Sequence, residues 1–183
     1  MMRTRLRPQG GFTLIELLVT LVVLGILTRL AVPSFAQAML TSRLASYSNS
    51  FIGSAQYARS EALKRNVALT MCASSDGATC TSGATWAQGW IITCPANAST
   101  DTMCNAGGGA TLVLRKQPAL SSDYHFAGGT GSYSINFPAS GIGATQVSLT
   151  LCRWAPAGNQ ERQVAVTATG RPAVAVTHNG TCA

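Results

Sequence analysis

The stretch "RPQGGFTLIELLVTLVVLGILTRLAVPSF", residues 7–35, decides the fold. A short leader with three arginines runs directly into a continuous apolar segment, in the order of an export signal. An ordinary secretory signal is cut after its apolar region, whereas the Gly-Gly-Phe junction here precedes that region. Cleavage between Gly11 and Phe12 would therefore leave the whole apolar segment on the mature chain.

The apolar segment is long enough to cross a membrane. It covers 21 residues from Phe12 to Val32, and a helix rising about 1.5 Å per residue needs roughly 20 residues to cross about 30 Å of hydrocarbon. The basic leader predicts a start on the cytoplasmic side. We therefore predict one membrane pass, with everything after Val32 outside the cytoplasm.

Glu16 is the one carboxylate within this segment. A carboxylate near a bilayer centre costs on the order of 3 kcal/mol, and ionisable residues inside membranes are functional candidates. Glu16 lies only about 6 Å along the helix from the new N-terminus, so it can reach the headgroups or be protonated. The alternative is a pairing with the free ammonium of Phe12 on another copy, whose strong attraction in low dielectric is partly offset by desolvation.

The residues "GGFTLIELLVTLVVLGIL", followed by Pro33, resemble the N-terminus of type IV prepilins and type II secretion pseudopilins. The resemblance implies that an inner-membrane prepilin peptidase cuts after Gly11 and that Phe12 is N-methylated. It also implies that Glu16 docks subunits, other pilins or pseudopilins, into a filament with the apolar helix at its core. Pro33 falls where such helices bend, which suits its missing N–H; a simple helix break at the membrane edge is the other interpretation.

The helical pattern resumes after Pro33 and predicts an amphipathic helix to about residue 64, with one face on a sheet. Glu61 and Arg65, at i and i+4, predict a modest surface pair, and Asn66 is the predicted end of the helix. The apolar face recurs mostly at spacings of three and four: Phe35, Met39, Leu44, Tyr47, Phe51, Ala55, Ala58 and Ala62.

From Val67 onward the chain shows short β-type runs between turn signals, which together with the long helix predicts an α+β fold. The resemblance specifies this as the type IV pilin-like fold, a long N-terminal helix packed on an antiparallel β-rich domain. The predicted strands are Val67–Ala73, Gly89–Thr93, Ala110–Lys116, Ser132–Phe137, Gln146–Trp154, Arg162–Thr167 and Arg171–Val176. The predicted parts are a leader (1–11), a transmembrane or filament-core helix (12–33), an amphipathic helix (34–65) and a disulfide-containing β-rich domain (66–183).

A second resemblance lies in "VALTMCASSDGATCTSGATWAQGWIIT", residues 67–93. It is similar to the first strands of the GspH/FimT family of minor pilins and pseudopilins, with a Ser-Asp-Gly turn, a Trp, and a Gly-Trp that opens the next strand. Asp76-Gly77 predicts a tight turn. Trp86 and Trp90 are predicted to anchor a hairpin against the helix as large apolar groups.

The C-terminal stretch "TGRPAVAV" raises DNA as a further partner. In FimT-like members a Gly-Arg-x-Arg motif is associated with DNA binding during natural transformation. Here Ala173 stands where the second arginine would be, so the phosphate-binding pair is only half present. Other basic residues would extend it only if folding brings them together with Arg171: Arg162, Arg153 and the Arg115-Lys116 pair.

All six cysteines follow the apolar segment, and an even number in an exported domain predicts disulfides formed in the oxidising periplasm. The absence of a C-x-x-C pair and the presence of only two histidines argue against a zinc site. Six cysteines allow 15 connectivities. Our expected pairs are Cys72–Cys80, Cys94–Cys104 and Cys152–Cys182.

The remaining polar residues do not assemble a catalytic site, so we predict neither an enzyme nor a bound cofactor or metal. The acidic residues of the strand region each lie near a turn or a strand end, and His125 is predicted as a strand or surface residue. The formal charge is +7; without Arg3, Arg5 and Arg7, ten basic residues face six acidic ones, a net charge of +4. This mild excess permits an anionic partner without requiring one.

Taken together, the resemblances predict a FimT/FimU-like minor pilin of the GspH/FimT family that is incorporated into, or primes, a type IV pilus. A GspH-type minor pseudopilin of a type II secretion system is the alternative within the same fold. A pilus-associated DNA-binding subunit is the alternative from another class. In each case the chain would begin in the inner membrane with its C-terminal domain in the periplasm, and then enter a pilus or pseudopilus.

Overall fold

The computed structural model describes residues 11–95, 104, 111–127, 133–154 and 160–177. It confirms the α+β fold, a long helix followed by antiparallel strands. The chain forms two compact units, Met1–Leu40 and Thr41–Ala183. The described elements are α1 (Leu14–Arg65), β1 (Leu69–Ala73), a 3₁₀ helix (Trp86–Gln88), β2 (Trp90–Thr93), β3 (Val113–Gln117), β4 (Tyr124–Ala127), β5 (Ser134–Phe137), β6 (Val147–Arg153), β7 (Glu161–Val166) and β8 (Pro172–Thr177).

In the first unit, α1 displays its apolar side chains on the surface. From Phe12 to Leu27 the large hydrophobic residues are about half or more exposed. Among the described residues, α1 is the one helix whose length and composition suit a membrane crossing. Pro33 lies within α1, and its predicted kink stays a prediction.

In the second unit the strands form two antiparallel sheets of four. The first has the order β3-β2-β1-β5 and the second the order β4-β6-β7-β8. In the second sheet, β8 lies at an edge and begins with Pro172, a position that suits a residue without a backbone donor.

The C-terminal end of α1 is closed by a Schellman motif. Asn66 has a φ of 54°, the left-handed conformation that terminates many helices. The Asn66 N–H donates to the Leu63 carbonyl at 3.3 Å, and the Val67 N–H donates to the Ala62 carbonyl at 3.2 Å. Asn66 therefore ends the helix, as the sequence predicts.

Phe51 of α1 lies at the centre of an aromatic core. Its ring is fully buried, with centroids 5.2 Å from Trp86, 5.5 Å from Trp90 and 5.5 Å from Phe126. The edge-on geometry of the two tryptophan contacts is a favourable aromatic arrangement. Both tryptophans thus pack against the helix.

The predicted apolar face of the helix is right in its second half and wrong in its first. Leu44, Phe51 and the alanines at 55, 58 and 62 are buried, but Phe35 is 69% exposed and Met39 is 46% exposed. The reason is helical geometry: at about 100° per residue, Phe35 and Met39 lie about 160° and 120° around α1 from Phe51, so they project from a different side of the helix.

The Glu61–Arg65 pair is present, but it is not the surface pair that the spacing predicted. Arg65 Nε lies 2.6 Å from Glu61 Oε2, and the two side chains are only 13% and 14% exposed. Both groups lie partly inside the fold, where water screens the pair less than at a surface.

Seven strands lie close to their predicted positions, with ends shifted by a few residues. The strand β4, with the sequence YHFA, is not among the predicted strands, although His125 within it is predicted as a strand or surface residue. It is four residues long, and its apolar character comes only from residues on either side of His125. Pairing with β6 establishes it as a strand, a long-range contact that local pattern does not reveal.

Candidate assembly and binding sites

The predicted processing and docking residues lie at the exposed start of α1. Gly11 and Phe12 precede the helix, and Phe12 is 86% exposed. Thr13 caps the helix, because its Oγ1 accepts the Glu16 N–H at 3.3 Å. Glu16 therefore occupies the third helical position of a Thr-x-x-Glu sequence, where a carboxylate also favours the helix N-terminus. We did not predict this capping role from the sequence, although the Thr-x-x-Glu spacing indicates it.

The Asp76 turn is a rigid, densely hydrogen-bonded loop. Asp76 Oδ1 accepts the N–H groups of Ala78 at 2.8 Å and Thr79 at 2.9 Å and the Ser74 hydroxyl at 2.9 Å, while Oδ2 accepts the Thr79 hydroxyl at 2.7 Å. These bonds, first that from the Thr79 backbone, hold the pKa of Asp76 well below its usual range. A carboxylate so fully engaged stabilises a turn and is poorly suited to proton transfer.

Two of the three expected cysteine pairs are disulfides in the structure. Cys72–Cys80 closes the Asp76 turn, and Cys94 is joined to Cys104. Cys152 is also disulfide-bonded, and its expected partner, Cys182, lies outside the described residues. Cross-links of this kind restrict the unfolded chain and so stabilise a small domain.

The register of the second sheet separates the arginines proposed to contact DNA. Arg162 faces Val176 of β8, whereas Arg171 immediately precedes Pro172 at the other end of that strand. Five residues of extended strand between 171 and 176 span about 16 Å. Arg153 pairs with Tyr124, at the same end of the sheet as Arg162. The three arginines therefore do not form one patch.

The Arg115-Lys116 pair lies on β3 of the first sheet. The Arg115 guanidinium carbon lies 5.5 Å from the centroid of the Tyr57 ring, and Lys116 Nζ donates to the Asp76 carbonyl at 3.5 Å. Both cations therefore have neighbours within their own domain.

His125 and Glu161, two titratable residues of the strand region, make contacts within the domain. His125 Nε2 lies 3.7 Å from Cys152 Sγ, its ring packs edge-on to Trp154 with centroids 4.7 Å apart, and burial lowers its pKa. Glu161 is 1% exposed at the start of β7, where the Thr177 hydroxyl donates to Oε2 at 3.4 Å. Within the described ranges, no three His, Cys, Asp or Glu residues are grouped to hold a metal ion; Asp101 lies outside those ranges.

One cation of α1 that the sequence offered no reason to single out lies beside the turn between β7 and β8. Arg59 packs beside Gly170 and lines a cavity together with Arg171. The two arginines are more than a hundred positions apart, so only the folded chain brings them together.

Comparisons with known proteins match both the N-terminal segment and the β-rich domain of this chain. The family model for the type II transport protein GspH matches residues 48–170, and the prokaryotic N-terminal methylation motif matches residues 6–28. No curated protein sequence matches the chain.

Among solved structures, two crystal forms of the type IV minor pilin FimU from Pseudomonas aeruginosa are similar at 20% identity, with TM-scores of 0.51 and 0.53. The alignments cover 72% and 73% of this chain and 92% and 89% of FimU. The minor pseudopilin EpsH from the type 2 secretion system of Vibrio cholerae matches at 11% identity with a TM-score of 0.46, over 73% of this chain and 97% of EpsH. The FimU likeness is one of fold. Because the GspH model matches more than half of the residues, this chain belongs to the type II transport protein GspH family, with an N-terminal methylation motif ahead of the family domain.

Proposed function

We propose that this chain is a minor pilin subunit that a prepilin peptidase cuts between Gly11 and Phe12. The mature chain is held in the inner membrane by the first part of α1, with its β-rich domain in the periplasm. It then joins, or primes, a type IV pilus. The proposal draws on the methylation motif, the family domain and the fold shared with a minor pilin.

The observation that carries the proposal is the exposed apolar surface of α1. Between Phe12 and Val32, eleven other large hydrophobic side chains are 49% to 81% exposed. Soluble monomers rarely expose an apolar surface of this length. Lipid in the membrane, and the helices of other subunits in a filament, are the two environments that cover it.

A GspH-type minor pseudopilin of a type II secretion system is the second candidate. It is favoured by the matched family model, whose description is that of a type II transport protein. The genes beside the coding sequence separate the two candidates, because pilus assembly genes and secretion genes predict different machines. Recovery of the tagged full-length chain with pilus subunits or with secretion subunits would test the same distinction biochemically.

Processing is tested by the intact mass of the protein purified from its native host. We expect a chain that begins with methylated Phe12 and lacks the leader. A chain with an intact leader, or one cut beyond Val32, would contradict the proposal, because neither would present the apolar helix at a free N-terminus.

The docking role of Glu16 is tested with Glu16→Ala and Glu16→Gln. Gln can replace Glu in a helix capping box, so Glu16→Gln retains the local cap and removes only the charge. We expect both variants to insert normally in the membrane and to be depleted from sheared filaments. Thr20→Ala is the matched control one turn along, since the Thr20 hydroxyl donates within its own helix to the Leu17 carbonyl at 2.8 Å.

The two variants separate the two roles of Glu16. Depletion of Glu16→Ala alone would assign Glu16 to helix capping instead of docking. Normal incorporation of both variants would show that filament assembly does not use the carboxylate.

A further inference from the structure

A cavity of about 430 Å³ lies beside the last turns of α1 and the start of β8. Its two charged lining residues are both arginines, and no carboxylate lines it within the described part of the chain. The lining consists of Gln56, Arg59, Ser60, Leu63, Arg171 and Pro172.

Gly170 makes room for one of the two arginines. It is buried and has a φ of 70°, a left-handed conformation that favours glycine. A Cβ at this position would stand 3.2 Å from both Cδ and Nε of Arg59. The absence of a side chain therefore allows the stem of Arg59 to lie against the turn between β7 and β8.

The same packing leaves a donor of Arg59 in need of an acceptor. Arg59 Nε is shielded from solvent and has no hydrogen-bond partner among the described residues. Within those residues the ion pairs involve Glu61 with Lys64 and Arg65, and neither Arg59 nor Arg171 takes part. A buried donor without an acceptor is costly, and an anion in the cavity would neutralise a positive charge that has no ion-pair partner among the described residues.

The chemistry of the walls identifies the kind of anion. Two guanidinium groups match an oxyanion, because each planar fork can donate two parallel hydrogen bonds. Leu63 and Pro172 add apolar wall, which suits the methylene stem of an acidic side chain better than a hydrated phosphodiester.

A nucleic acid would also need a continuous basic track. Arg162 and Arg153 lie at the opposite end of the second sheet from Arg171, so they do not continue the pocket into such a track. The observations therefore favour a protein carboxylate over DNA.

We propose that the Arg59–Arg171 pocket binds an Asp or Glu side chain presented by a neighbouring pilin-type subunit. The proposal rests on the proposed function, because it requires assembly with other subunits. It adds a second contact in the folded domain, distinct from the apolar first part of α1 and from Glu16.

The test is photo-crosslinking of the full-length chain in its native host, with p-benzoylphenylalanine replacing Lys64. This side chain is 78% exposed and follows Leu63 without lining the cavity itself. We expect an adduct with another pilin-type subunit whose cross-linked peptide contains an acidic residue. The yield of this adduct should fall roughly tenfold or more in the double variant Arg59→Gln/Arg171→Gln, as expected for loss of a close interfacial charge pair.

Two further variants and one charge exchange make the test specific. Gln56→Glu keeps both arginines and places a carboxylate at an exposed helix position on the cavity wall, so it should also weaken the adduct. Arg162→Gln removes the same charge at the other end of the sheet and should leave the adduct unchanged. Replacing the mapped acidic residue of the partner by Arg, together with Arg171→Glu, should restore the adduct.

Leader removal and filament content are measured in the same strains. A processed, filament-associated chain whose adduct is absent, or is insensitive to the double variant and to Gln56→Glu, would overturn the pocket proposal alone. An adduct with nucleic acid that nuclease removes would overturn it in favour of DNA binding. An unprocessed chain would overturn the proposed function and this inference with it.

Discussion

Replacing Phe51 by Ala should destabilise the β-rich domain more than any surface change on the same helix. Phe51 is fully buried and contacts three other aromatic rings, two of them edge-on. Phe→Ala changes in cores cost about 3–5 kcal/mol, and each favourable aromatic pair contributes about 0.5–1.5 kcal/mol. We place the loss near the top of the core range, at about 4–5 kcal/mol.

The chain supplies its own control in Phe35→Ala. Phe35 belongs to the same helix and the same predicted apolar face, yet it is 69% exposed. Its replacement should change the free energy of unfolding by about 0.5 kcal/mol or less. The contrast therefore isolates burial from residue type and from helix propensity.

The measurement is urea unfolding of the mature chain in detergent, followed by tryptophan fluorescence. Trp86 and Trp90 touch Phe51, whereas Trp154 is 63% exposed and should change its emission least. If the slope of the unfolding free energy against urea concentration is unchanged, the shift in the unfolding midpoint gives the loss of stability directly. A loss below about 1.5 kcal/mol for Phe51→Ala, or equal losses for both variants, would refute the aromatic core described above.

Three smaller predictions use other parts of the domain. Gly53→Ala should stabilise the chain by about 0.5–1 kcal/mol, because a Cβ at this position meets nothing within 4 Å. Gly170→Ala should destabilise the chain by about 1–2 kcal/mol, because Gly170 has a φ of 70° and a Cβ there would press on Arg59. Both changes in stability are measured by thermal unfolding of the full chain, and changes of the same sign would contradict the geometry given for the two glycines. The hydrogen bonds of the folded turn favour the ionised form of Asp76 and so lower its pKa. The contribution of Asp76 to the stability of the folded domain is therefore present above the ordinary pKa of 3.8 and is lost as the pH falls below it. Asp76→Asn should therefore flatten acid unfolding below that pH, and an unchanged acid profile would show that the turn does not contribute.

Where local chemistry decides a feature, the sequence was enough to predict it. Asn66 ends α1 because a left-handed residue is needed there, and Asp76-Gly77 turns the chain because the side chain satisfies neighbouring N–H groups. These features depend on contacts within a few positions, which a reader of the sequence can see.

Where distant residues decide a feature, the sequence was not enough. Arg59 has the spacing of a solvated residue until Gly170 is brought against it. Arg171 and Arg162 are nine positions apart in sequence, yet antiparallel pairing sends them to opposite ends of a sheet.

The first part of α1 follows a different rule from the rest of the chain. Its large hydrophobic residues from Phe12 to Leu27 are about half or more exposed, so burial does not constrain which large hydrophobic residue stands at each of these positions. Under the proposed function, the segment must retain its length, its overall hydropathy and the carboxylate of Glu16. Exchanges among Leu, Ile and Val there should therefore leave the domain's stability unchanged while altering packing between subunits. The same exchanges at Leu69 or Ile135, both fully buried, should act on the domain itself, because their neighbours are fixed by the fold.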